Sequence, residues 1–275
     1  MIRAFAAIVL DTFREARARR VYASLVFASL LGIAAFYWMM RGLDLSGPSS
    51  MVVLMSQFDP RYLNRQWVAR GVFGQAAMLT YALQLLVCLL HIGTVIPGLL
   101  ETNRNAWLAA HPFPRAGILL ARFLGCFLIA LGAGSVTFAA AWVITGLKTN
   151  VWHAPFFFGL AASMLVYASF SAAMMLLQLI ARSPALMGTG ISILAALNIA
   201  ASRPAELAAI LGPGWLLDAV TVAATLLPRP AEIARLTDAF VQTGALTGQS
   251  HLWASAVFGA ICLTLASWRF ARMDL

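Results

Sequence analysis

The chain has 275 residues, of which 61% are hydrophobic and only 11% charged. A soluble domain would carry about a quarter charged residues, and the apolar content falls in runs of about 20 or more, as a bilayer core demands, so composition excludes a soluble protein. The formal net charge is +9, but the arginines stand at the ends of apolar runs, which points to membrane topology and anionic-lipid contact and excludes a nucleic-acid role.

Residues 1–20 are expected to form an amphipathic helix lying in the membrane interface. Ile2, Phe5, Val9, Thr12 and Ala16 follow helical spacing on one side. Asp11, Arg14, Glu15, Arg17 and Arg19 take much of the rest, with Glu15 and Arg19 at the favourable i,i+4 spacing. The first apolar run, about Val21 to Met40, lacks a small-residue cleavage site, so it is expected to remain as a span. Trp38 near its end is an interface-type aromatic. Residues 41–70 read as a long loop containing a short surface-lying segment, Met51 to Phe58.

The second span is expected over about Val72 to Leu100, with Pro97-Gly98 loosening its end. Gln84 and His91 lie two turns apart on nearly one face. Bonds to neighbouring helices are the favoured reading of this pair. With Asn198 they are also the candidate substrate path, since an intramembrane polar group needs a partner or a function.

Glu101 to Gly125 follows. Read as a helix from Thr102 to His111, it puts Trp107, Leu108 and His111 on one face, and Pro112 ends it. A short rigid helix between two spans can serve as a handle for a soluble partner; a plain solvated turn is the other reading. The third span, about Ala116 to Thr145, exceeds a perpendicular crossing. Gly125, Gly132 and Gly134 should let other helices approach it closely. A short loop carrying Trp152 and His153 precedes the fourth span, about Phe156 to Ala181. The fifth span is assigned to about Ala185 to Ser202. In 203–250, Gly212-Pro213-Gly214 splits two apolar pieces too short to cross, which are read as re-entrant or outer-leaflet half-helices. A polar helix from about Ala231 to Gln242 comes next, then the sixth span, about Leu252 to Phe270.

The fold expected is therefore all-α: a polytopic integral membrane protein with six transmembrane helices and an N-terminal interfacial helix. Residues 1–20 form that helix, and 21–275 form one six-span domain. Six spans put both termini on one side. With Arg3, Arg14, Arg17, Arg19, Arg20, Arg104, Arg115, Arg122, Arg182, Arg269 and Arg272 that side holds eleven basic residues against eight on the other. Its loops are also the shorter ones, so the termini and 101–115 are expected in the cytoplasm.

Chemistry is sparse. Lys148, the only lysine, follows Leu147, so no G-x-x-x-x-G-K-[ST] phosphate loop is present. H-E-x-x-H and G-x-S-x-G are missing too. Asp218 is the one candidate intramembrane carboxylate, too few for a proton relay. Cys88, Cys126 and Cys262 lie inside apolar runs and read as core residues. Met39, Met40, Met51 and Met55 would suit Cu(I) by ligand softness, but soft packing is the favoured reading, and no metal site is assigned. The chain is expected to be no enzyme by itself, with no cofactor of its own.

Glu101, Pro112, Arg115, Arg122 and Phe123-Leu124-Gly125 together resemble a pattern of type-2 ABC transporter permeases: a glutamate ending the second span, a coupling helix, Pro-x-x-Arg, then an apolar run with a basic residue and Phe-Leu-Gly. Thr12-Phe13-Arg14-Glu15-Ala16 and the Phe270 to Leu275 ending are similar to the branch that contains the permease of nitrous-oxide-reductase maturation. The resemblance implies an ABC permease subunit in a bacterial inner membrane, paired with a second copy or a paralogue. Two cytoplasmic ATPase subunits, which would hold ATP and Mg, would grip Glu101, Arg104, Trp107, Leu108, His111, Pro112 and Arg115. Arg14, Glu15, Arg19 and Arg122 would line the cytoplasmic interface beside that grip. A non-transporting scaffold or channel-like protein docking another soluble partner through 101–115 is the alternative. The transported substrate is not encoded in any motif.

Overall fold

The computed structural model describes residues 2–18, 21–41, 65–99, 114–181, 212, 214–215, 227–246 and 248–272. Among them the regular structure is helical. Seven α-helices are described: α1 (Ile2–Ala18), α2 (Val21–Met40), α3 (Arg65–Leu99), α4 (Arg115–Thr149), α5 (Phe158–Ala181), α6 (Pro230–Thr243) and α7 (Ser250–Ala271). A 3-10 turn, Ala154–Phe157, leads into α5. Five helical stretches, in α2, α3, α4, α5 with its leading turn, and α7, are long and apolar enough to cross a membrane.

The ends of these helices follow local chemistry. α4 starts after Pro114, held at φ −62° and ψ 129° outside the helical region, and it stops at Asn150 in the left-handed conformation. α6 starts with Pro230, whose missing N–H costs nothing in a first turn, and stops at Gly244, with φ 74°. α4 is 35 residues long, about 52 Å at 1.5 Å per residue. That exceeds the roughly 30 Å hydrocarbon core of a bilayer, so α4 must tilt or project beyond it.

The helix directions come from their cross-contacts. α1 lies against the first turns of α4, which defines one end of the bundle, here the near end. α4 runs away from it. Phe73 of α3 packs on His153 and Phe156, just past the end of α4, so α3 starts at the far end and runs back. α5 also starts at the far end. The Ser169 hydroxyl donates to the Ser255 carbonyl at 2.7 Å, and Arg269 Nε donates to the Leu179 carbonyl at 3.2 Å. Both positions advance together along α5 and α7, so these two helices are parallel. α6 sits at the far end: His153 Nε2 lies 2.8 Å from the Val241 carbonyl, and the Phe158 and Phe240 rings are 4.5 Å apart.

Small residues set the closest helix approaches, as expected where lipid supplies no hydrophobic drive between helices. A Cβ at Gly125 would meet Thr12 of α1 at 2.7 Å, and one at Gly134 would meet the Gln84 amide at 2.9 Å. Gly132 differs. A Cβ there would meet nothing within 4 Å, so of the three glycines expected to seat neighbours, this one faces open space. The three cysteines are free and buried.

The span limits lie close to expectation for the first, third, fourth and sixth runs. The second helix begins earlier, at Arg65, and stays helical through Pro97 to Leu99. The loop segment 51–58, the fifth span at 185–202 and nearly all of the half-helix region 203–227 lie outside the described residues.

Candidate functional site

The near end carries the feature that bears on function. α1 turns Ile8, Thr12, Glu15 and Ala16 into the protein and leaves Arg3, Arg14 and Arg17 exposed. Positions 8, 12, 15 and 16 form one face because neighbours three and four apart align on a helix. On α4, Arg122 and Gly125 present the same three-residue spacing. Thr12 seats over Gly125, and Glu15 Oε2 faces Arg122 Nη1 at 3.6 Å with both side chains almost fully buried, 6% and 3% exposed. The Thr12 hydroxyl is retained within its own helix, donating to the Ile8 carbonyl at 3.0 Å. The ion pair therefore stands in a dry junction between an amphipathic helix and a span.

Glu15 thus lies on the inward face of α1, where its carboxylate gives the buried Arg122 guanidinium a counter-charge. Arg14 stays on the exposed face. Arg115 occupies the first position of α4, two turns before Arg122 on the same side. Glu101, Arg104, Trp107, Leu108, His111 and Pro112 lie outside the described residues, as does Arg19. The stretch that contains the six joins the near-end terminus of α3 to the helix that holds Arg122.

Gln84 is fully buried at the α3–α4 contact. Its Nε2 lies 3.3 Å from both the Ala130 carbonyl and Cys88 Sγ. That bonding ties two spans together. His91 falls within α3, with its side chain outside the described residues, and Asn198 lies outside them altogether. Tyr167 of α5 donates to the Cys126 carbonyl at 3.3 Å, a second buried polar tie onto α4. Met40 is buried in the core while Met39 is exposed, so these neighbours point in different directions.

The far end holds contacts that sequence reasoning passed over. Trp142 Nε1 donates to the His153 carbonyl at 3.1 Å, and its ring lies 4.6 Å from that of Trp152, which covers Gly146. His153 then reaches α6 through Val241. Asp238 of α6 accepts from Gln242 at 2.6 Å and from Gln75 of α3 at 3.1 Å, next to Gly74, where a side chain would collide with it. The signal available was modest: a polar helix carrying one carboxylate, and a glycine placed at a matching depth in another helix. Among the described residues, no group of three or more His, Cys, Asp or Glu could hold a metal ion.

No protein-family model matches the chain, and no curated protein matches it either.

Proposed function

We propose that this chain is the membrane-spanning permease subunit of an ABC transporter. A separate ATPase pair drives it by gripping the 101–115 stretch at the near end. One observation carries this reading: the buried Glu15–Arg122 contact fastens α1 to the opening turns of α4, the helix into which that stretch leads. A displacement of the stretch would thus move α4 and α1 as one body. Together with the Glu101, Pro112, Arg115 and Phe123-Leu124-Gly125 pattern, this supports a lever acting on a bundle that has no phosphate loop of its own.

A count of six spans is part of this reading. The parallel run of α5 and α7 supports a further crossing between them, and we assign that crossing to Ala185–Ser202. The 203–227 pieces then stay on the far side as re-entrant segments. The near end is cytoplasmic in this reading, the membrane is a bacterial inner membrane, and the working unit pairs two permease chains, identical or paralogous. Gln84 is assigned to helix packing.

The test is association. The chain is coexpressed with any P-loop ATPase found encoded beside it and purified through a tag on the permease. The wild type should retain the ATPase, and Trp107→Asp with Leu108→Asp should lose it while the permease stays monodisperse. Retention by the double variant removes the lever. Absence of any neighbouring ATPase frame favours a scaffold that docks another partner.

A further inference from the structure

A groove of about 280 Å³ runs between α2 and α4, beginning at Phe13 of α1. Its lining extends along α2 from Tyr22 to Ile33, about 16 Å at 1.5 Å per residue. That matches one leaflet of hydrocarbon, roughly half of a 30 Å core. Besides Tyr22 at the mouth, Ser29 is the only polar side chain among the described residues of the lining. The lips are open outward: Val26, Leu30 and Val136 are 56%, 58% and 61% exposed. The floor is unfilled at Gly132, where even a Cβ would touch nothing.

We propose that this groove holds one acyl chain of a membrane phospholipid drawn from the leaflet on the α1 side. Three features select that occupant over a protein segment. The length is that of one leaflet, and an extended chain with no hydrogen-bonding needs suits an apolar wall, whereas a peptide backbone would be left unsatisfied there. The mouth also lies beside α1, which exposes Arg17 one turn beyond Phe13. A cation at headgroup level attracts an anionic phospholipid. The bound chain would cover Val26 and Leu30, which line the groove and are otherwise exposed. None of the groove's lining residues belongs to the 101–115 stretch, so the site stands independently of the ATPase reading.

Photolabelling tests it. The full chain is placed in nanodiscs of phosphatidylcholine and phosphatidylglycerol, with a trace of phosphatidylglycerol carrying a diazirine in one acyl chain. After irradiation, adducts are mapped by mass spectrometry. Adducts on 25–33 and 128–136 should exceed, severalfold, those on the exposed Trp253, Val257, Ile261 and Leu265 stripe of α7. Gly132→Leu fills the floor and should abolish the groove adducts while leaving the stripe unchanged. Arg17→Gln should lower groove labelling severalfold with the phosphatidylglycerol probe and leave it unchanged with a phosphatidylcholine probe. If Gly132→Leu does not fold, probe titration of the wild type decides: groove adducts should saturate, and stripe adducts should rise linearly. Equal labelling of groove and stripe, linear rise at both, or intact groove adducts in folded Gly132→Leu would each overturn the proposal.

Discussion

Glu15 and Arg122 are each nearly free of solvent, so removing either takes from the other a counter-charge that water cannot replace. Such a loss typically costs about 3–5 kcal/mol. Glu15→Ala and Arg122→Ala should each destabilise the protein by about that much, measured by reversible unfolding in detergent. The double variant should cost clearly less than the sum, because the second substitution removes the charge stranded by the first. Strict additivity would show that the two side chains do not interact. The residue types were legible in the sequence, since a glutamate in a basic helix and an arginine in an apolar run both stand out. Their pairing was not legible. Over 107 positions of chain, the packing of α1 on α4, with Thr12 seated on Gly125, brings the two together.

At the scale of elements, α6 is a short polar helix packed chiefly on α3, where Asp238 meets Gln75 and Gly74, and His153 adds a tie to its last turn. Nε2 donates to the Val241 carbonyl in the tautomer that carries the proton there. One such bond contributes roughly 1 kcal/mol, equivalent to about a fivefold change in a local opening equilibrium. His153→Ala should therefore raise amide exchange across 230–243 by about fivefold while leaving α1 and the start of α4 untouched. Unchanged exchange in α6 would mean that its packing on α3 and the Phe158–Phe240 contact seat it without the histidine. The bounds of α6 were legible from Pro230 and Gly244, because proline starts and a left-handed glycine ends a helix through local backbone sterics. Its partner was not. Nothing in a polar helix names the histidine, 88 residues earlier, that it docks on. The glycines of α4 teach the same point: Gly125 and Gly134 seat neighbours and Gly132 faces a groove, although all three read alike in sequence.

For the whole molecule, the parallel run of α5 and α7 sets the topology. α1 and α6 lie at opposite ends of the bundle, so they should face opposite compartments. The native cysteines are buried, which gives a low background for labelling. In membrane vesicles of known sidedness, cysteine at Arg17 and cysteine at Thr243 should react with an impermeant maleimide from opposite faces, Arg17→Cys from the cytoplasmic one if the proposed orientation holds. Labelling of both from one face would contradict the bundle direction. Labelling with the faces exchanged would preserve the fold and reverse the proposed orientation.

Apolar run length, charge placement and helix-end residues by themselves determined that this is a helical membrane protein, and roughly where most spans begin and end. These are local properties, because a bilayer imposes its thickness on each segment separately and backbone sterics act within one turn. The tertiary structure decided which polar groups meet and which small residues are covered. It also decided that α5 and α7 run in the same direction. Inside a bilayer every apolar side chain is equally satisfied by lipid or by protein, so hydropathy cannot say which face touches what, and shape and the few buried polar ties make that choice.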